Sequence, residues 1–157
     1  MTEITACPLT AADFAPFGDV LNCAGAPDRI INAGLCGRFH DRARVDVSDG
    51  RVGISLFRSE LRRLPYQLDL IERHPLGSQA FIPMSMDGFL VVVAGADLVP
   101  QAFVTAPGEG INFHRGIWHG VLTPLAGPGL FAVIDRIGDG ANLEEYHFAK
   151  PYLIRAG

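Results

Sequence analysis

Gly108-Glu109-Gly110-Ile111-Asn112-Phe113-His114-Arg115-Gly116-Ile117-Trp118-His119 is the stretch that decides how this chain is read. It carries two histidines, an arginine and a glutamate among glycines and apolar residues, with His114 and Arg115 placed where a turn leads into a strand. One other segment is comparably rich in reactive groups: Glu72-Arg73-His74-Pro75-Leu76-Gly77-Ser78-Gln79. Together the two hold nearly every residue that could do chemistry. On a strand, side chains alternate faces, so Glu72 and His74 point the same way and Arg73 the opposite way unless Pro75 bends the strand. A carboxylate and an imidazole turned into a barrel need a partner, a metal or a ligand, which makes the pair a candidate site.

Outward from these segments the chain reads as short β-rich runs: Arg38 to Val47, Val52 to Phe57, Phe89 to Ala94, Gln101 to Thr105 and Leu130 to Ile137. Asp49-Gly50, Asp87-Gly88, Gly95, Pro107-Gly108, Gly127-Pro128-Gly129 and Gly138 to Gly140 punctuate them. Closely spaced strands with turn signals predict an all-β sandwich or barrel. Thr10 with Asp13 three residues on resembles a capping box for a short accessory helix through Phe14, and Glu60 to Leu64 is the only other helical candidate. A parallel sheet would lack its crossover helices.

The length of 157 residues suits a single domain, 1–157, and 48% apolar with 19% charged residues is too hydrophobic for a disordered chain. A net charge of -4, with one lysine and twelve scattered arginines, offers no basic stripe for nucleic acid. No apolar run approaches the ~20 residues of a membrane span, and no export signal is expected at the N-terminus. Cys7, Cys23 and Cys36 show neither disulfide nor zinc spacing, so reduced thiols in cytoplasm are expected.

At this point the residues resemble the cupin superfamily. Gly108, His114, Gly116, His119 and Thr123 stand at the spacing of the second cupin motif, with His114 in place of its proline and Thr123 in place of its asparagine. Glu72, His74 and Gln79 occupy the places of the His-any-His and glutamate of the first motif. The resemblance implies a cupin-type β-barrel, or jelly roll, and an altered ligand set of Glu72, His74, Gln79 and His119. Two histidines and a carboxylate still suit one divalent transition metal of the nickel, zinc or manganese type, although an amide is a poor ligand.

The likeness narrows. The string from Glu72 through Gln79 continued by Ala80-Phe81-Ile82-Pro83, together with Asn112-Phe113-His114-Arg115 closing in Trp118-His119, resembles the ureidoglycolate lyase family. Ile31-Asn32-Ala33-Gly34, Phe39-His40-Asp41 and Asp135-Arg136 are similar to it as well. This resemblance implies a homodimer that releases urea from ureidoglycolate, its small-molecule substrate, in allantoin breakdown. The segment Asn142 to Phe148 matches only loosely, so the likeness assigns no role to Glu144, Glu145 or His147.

Elimination of urea needs a base for the hydroxyl proton, an acid for the departing nitrogen and a cation for the carboxylate. His119 or His74 can be the base and Glu72 or His114 the donor, or the roles can be reversed. A metal would turn the same residues into ligands. Without one, an arginine fork must hold the carboxylate, and Arg73, Arg115 and Arg136 are the candidates, with Gln79 and Ser78 as further polar contacts. Each group also has a structural reading: a buried ion pair for Glu72 and His74, a hydrogen-bonded barrel histidine for His119, backbone satisfaction for Gln79. The competing functions are another metal-dependent cupin enzyme, a dioxygenase or isomerase, and a cupin that only binds a small metabolite.

Overall fold

The computed structural model describes residues 1–157. In chain order the elements are β1 (Thr2–Pro8), α1 (Ala11–Phe14), β2 (Gly18–Leu21), β3 (Arg29–Ile31), β4 (Cys36–Arg38), β5 (Arg51–Arg58), β6 (Tyr66–Arg73) and β7 (Gln79–Pro83). They continue with β8 (Phe89–Ala94), β9 (Pro100–Val104), β10 (Gly110–Phe113), β11 (Trp118–His119), β12 (Thr123–Pro124), β13 (Leu130–Ile137) and β14 (Glu144–Ala156). No helix is long and apolar enough to cross a membrane.

The strands form two layers. Strands β11-β6-β14-β1-β9-β8 pair in that order, and β8 pairs back onto β11, which closes a ring of six. Pairing within it is antiparallel except where β1 runs parallel to both β14 and β9. A five-stranded antiparallel sheet, β2-β10-β7-β13-β5, lies against one side of this ring. The result is a cupin-type barrel.

Strand β8 shows why the layers pack as they do. All six of its residues are buried, because it is covered on both faces and so lacks the polar alternation of a half-exposed strand. Leu90, Val92 and Ala94 point into the ring and meet Leu68, Ile71 and Ile154. Phe89, Val91 and Val93 point the other way, against Phe81, Ile111 and Val133 of the five-stranded sheet. Each fully buried Leu, Ile, Val or Phe among them contributes roughly 1.5–3 kcal/mol relative to exposure.

The capping box is present: Thr10 caps α1, and its hydroxyl accepts the Asp13 N–H at 3.1 Å. Strands β5, β8, β9 and β13 fall on the expected runs. Three regions differ. The stretch Arg38 to Val47 belongs to a strand only at its first residue and pairs once more through a single bridge from Val47 to Gly77; the rest is a strap across the outer face of the five-stranded sheet. Arg38, Arg42, Arg44 and Asp46 alternate with Phe39, Ala43, Val45 and Val47, none of which is fully buried, and the strap is pinned by Asp46 N–H donating to Ser78 Oγ at 2.9 Å and Ser78 N–H to Asp46 O at 2.8 Å. Glu60 to Leu64 is not helical, consistent with Pro65 disfavouring helical geometry in the residue before it. The C-terminal strand β14 was not expected. Pro151 interrupts its pattern, and the strand passes that proline by a register shift between His147 and Tyr152.

Candidate active site

The strand pairing builds one cluster, in which His119 is buried and Glu72 and His74 are half-buried. Glu72, near the end of β6, lies directly opposite His119 on β11, and residues opposed in this way share a face. His74, two residues beyond Glu72, returns to that face. A potential ligand atom from each of Glu72, His74 and His119 lies within 4.8 Å of the others. The rings of His74 and His119 are 5.2 Å apart, and His119 is stacked on Phe113 at 4.2 Å with the planes only 6° apart. Since Phe113 belongs to the core between the two layers, the cluster occupies the space between ring and sheet, not the lumen of the ring.

Both imidazoles are anchored from behind. Nδ1 of His119 donates to the carbonyl of Gly120 at 2.9 Å, and Nδ1 of His74 donates to that of Asn142 at 2.8 Å. A carbonyl can only accept, so each neutral ring carries its proton on Nδ1 and a lone pair on Nε2. Both Nε2 atoms are buried and have no hydrogen-bond partner. Burial holds His119 far below the usual imidazole range, at a pKa of about 3, despite the opposing Gly120 hydrogen bond. Burial also raises the Glu72 pKa; His74 works against this, and the charge of Glu145, its register neighbour on β14, adds to it.

Gln79 joins this face from the opposite sheet, because it pairs with the inward-facing Phe113. Its Nε2 donates to Asp135 Oδ2 at 3.0 Å, which leaves Oε1 buried and without a partner. The three residues Glu72, His74 and His119 fit a divalent transition metal: two imidazole lone pairs whose other nitrogens are fixed by carbonyls, and a carboxylate.

The other candidates lie elsewhere. Ser78, His114 and Arg115 are on the outer side of β7 and β10, where with Asp19, Arg44 and Asp46 they line a separate cavity of about 330 Å³. His114 Nε2 donates to Asp19 Oδ2 at 3.2 Å, and Arg115 grips Asp46 through Nε and Nη2 at 2.9 and 2.7 Å. That grip holds the Asp46 carboxyl below its usual range. Arg73 faces away from the cluster as the alternation predicts; it pairs with Glu144 at 2.6 Å and lies over the Trp118 ring. Arg136 is buried and donates to the carbonyls of Ser48, Asp49 and Asp139. Glu145 pairs with His147 at 3.1 Å on the exposed part of β14.

Sequence reasoning missed Asp135 as the partner of Gln79 and Asn142 as the anchor of His74. Asp135 carried a readable signal, since it sits two residues after the buried Val133 on the same inward face of β13. Asn142 acts through its backbone carbonyl, which any residue has, although its side chain also accepts from Leu76 N–H at 2.8 Å.

Fold and cluster together define a cupin-type barrel carrying a site of two histidines and a carboxylate between its layers. The family to which that site belongs follows from comparison. The ureidoglycolate lyase family model matches residues 1–155, and the chain belongs to that family. It is 60% identical over 152 residues to a ureidoglycolate lyase of Rhodobacter capsulatus, covering 94% of each chain. It is 51% identical over 160 residues to one of Mesorhizobium japonicum (98% of each), and 50% identical over 153 residues to ureidoglycolate lyase 2 of Rhizobium meliloti (94% of each).

Proposed function

We propose that this chain, folded as one domain, eliminates urea from ureidoglycolate to leave glyoxylate, with Glu72, His74 and His119 as its catalytic centre. The observation that carries the proposal is a pair of buried, partnerless imidazole Nε2 atoms on His74 and His119, in a group with Glu72 whose potential ligand atoms, one from each residue, lie within 4.8 Å of one another. The names of the relatives support the substrate.

In the reaction the hydroxyl proton leaves, its O–H electron pair forms the carbonyl, the C–N bond breaks, and the urea nitrogen takes up a proton. The substrate carboxylate needs a positive charge, and the three arginines considered for it are engaged elsewhere: Arg73 by Glu144, Arg115 by Asp46, Arg136 by three carbonyls. This favours a divalent transition metal of the nickel, zinc or manganese type, held by Glu72, His74 and His119 with Gln79 Oε1 beside them. Bound there, it would supply that charge and lower the pKa of the substrate hydroxyl. The chain itself positions the donors: the Gly120 and Asn142 carbonyls fix the ring planes, Phe113 covers one face of His119, and Asp135 turns the Gln79 oxygen inward.

The raised pKa of Glu72 favours a second division of labour, without metal. Neither imidazole in its tautomer can donate from Nε2, so Glu72 would protonate the departing nitrogen. His74 would accept the hydroxyl proton, because a ring with a pKa of about 3, as in His119, is a poor base at neutral pH. The carboxylate then lacks a cation, which is why the metal form is preferred.

The test is elemental analysis of the purified protein, followed by incubation with racemic ureidoglycolate before and after chelation. Stoichiometric metal, and chelator-sensitive release of glyoxylate and urea, are expected. Release of ammonia and carbon dioxide would mean a different enzyme, turnover unaffected by chelation would leave the acid–base form, and no turnover would favour a different cupin enzyme or a binding protein.

A homodimer in the cytoplasm completes the proposal. Strand β5 is a sheet edge and exposes Val52, Ile54 and Leu56 at 48%, 76% and 65%, an apolar edge that a second copy would cover. The three cysteines are free, in keeping with a reducing compartment.

A further inference from the structure

We propose that the cavity on the outer face of the five-stranded sheet is a second binding site, for a small carboxylate that also carries ureido or amide N–H groups. The cavity has a volume of about 330 Å³, at the lower end of the roughly 300–1,000 Å³ typical of ligand sites, and all six residues lining it are polar or charged. It is distinct from the inner cluster, because Asp19 pairs with Asn112 on the face opposite to Phe113.

An inventory of unused donors and acceptors sets the ligand class. Arg44 makes one hydrogen bond, accepted by its backbone carbonyl from Asn112, so its guanidinium is uncommitted. Arg115 uses Nε and Nη2 on Asp46 and keeps Nη1. These are two cationic donors for a carboxylate. On the acceptor side, Asp19 Oδ2 takes both the Asn112 amide and His114 Nε2, which leaves Asp19 Oδ1 and His114 Nδ1 open. Behind them Asn112 is 1% exposed, and its Oδ1 has no partner. A simple anion such as phosphate would satisfy the arginines but confront the open Asp19 oxygen with like charge. A ureido acid offers a carboxylate to one side of the array and N–H groups to the other. Its occupant would also share backbone with the inner cluster: His114 follows Phe113, and Ser78 precedes Gln79.

N-carbamoylglycine is the probe, since it has both groups and lacks the hydroxyl that elimination consumes. Titrated into the full-length protein, it should bind saturably, shift the amide resonances of Ser78, His114 and Arg115, and bind at least about tenfold more tightly than acetate, urea or phosphate. Followed through those three resonances, binding should weaken about tenfold or more in Arg44→Gln, a change at an exposed side chain, and weaken in Asp19→Asn as well, while Glu72→Gln should leave it unchanged. Absence of saturable binding, equal binding of phosphate, or binding that survives Arg44→Gln but not Glu72→Gln would overturn the proposal. Turnover of ureidoglycolate is not among these readouts, so the lyase assignment and this site stand or fall separately.

Discussion

On the inner side of β10, Phe113 lies flat against His119; one residue further on, His114 faces outward and donates to Asp19. Both histidines sit near carboxylates, yet their surroundings give them opposite characters. His119 is 2% exposed with a bare Nε2, whereas the side chain of His114 is 48% exposed and its Nε2 is already engaged. The same contrast holds for the acids: Glu72 is desolvated and its pKa raised, while Asp46 is paired with Arg115 and its pKa lowered. Residue type therefore does not separate the two settings here. The buried, bare Nε2 of His119 does, because an unmet buried polar atom is costly unless something else meets it, and His114 has no such nitrogen.

The largest effect that could break this contrast is on turnover. His119→Ala and His74→Ala should each lower urea release by about a thousandfold, the former as the loss of a group that holds the metal and the latter as that or, without metal, as the loss of the base, for which ~10²–10⁴ is the usual range. His114→Ala should cost less than about tenfold. Steady-state assays on variants with unchanged circular dichroism check this, and an equal loss at His114 and His119 would erase the distinction.

A smaller effect concerns how the inner site is held. Asp135→Asn replaces the acceptor-only carboxylate that orients the Gln79 amide with an amide that can either accept or donate, so either end of the Gln79 amide can turn toward the cluster. Metal affinity, measured by competition with a chromogenic chelator, should fall about 10–100-fold, as for other groups that orient ligands. Unchanged affinity would remove Gln79 from the donor set.

Much of this arrangement could be read in advance. The alternation of Glu72, Arg73 and His74 predicted which two face the cluster, and Arg73 does face away. The strands from Phe89 and Leu130 were legible because apolar residues of strand length leave few alternatives. His114 and Arg115 were not separable from His119, since the side of a turn residue depends on where the strand ends, and that is set by Gly116 and the pairing of β10. Strand β14 was hidden by Pro151, and the Arg38 to Val47 strap by an alternation that in fact leaves both sides wet.

The two regions should also titrate in different windows. For His119 the folded pKa of about 3 lies below the ordinary 6.5, so below that ordinary value the unfolded chain binds the extra proton and stability falls with pH. Between pH 7 and about pH 4.5 the metal-free protein should lose roughly 2–3 kcal/mol through this group. Glu72 acts in the opposite sense, because its raised pKa favours the folded state as pH falls, so the comparison is with His119→Gln, which keeps Glu72. The contribution of Asp46, whose pKa lies below 3.8, is complete above that value and is lost only in more acid solution. Denaturant titrations at the two pH values check the ordering; a loss of equal size in His119→Gln would mean the imidazole is not the source.

The smallest expected effect tests the link between the regions. Gly116 sits between His114 and His119 with φ at +72°, and its N–H donates to the carbonyl of His74 at 3.0 Å. A Cβ added there would meet nothing within 4 Å, so Gly116→Ala carries backbone strain alone, about 1–2 kcal/mol. For a chain of this length that is a drop in Tm of roughly 2–8 °C. If the turn only joins two independent faces, activity should stay within about tenfold of the parent. If instead turnover collapses while Tm moves by only that amount, the geometry of this one turn sets the distance between His74 and His119, and the inner cluster depends on the outer loop.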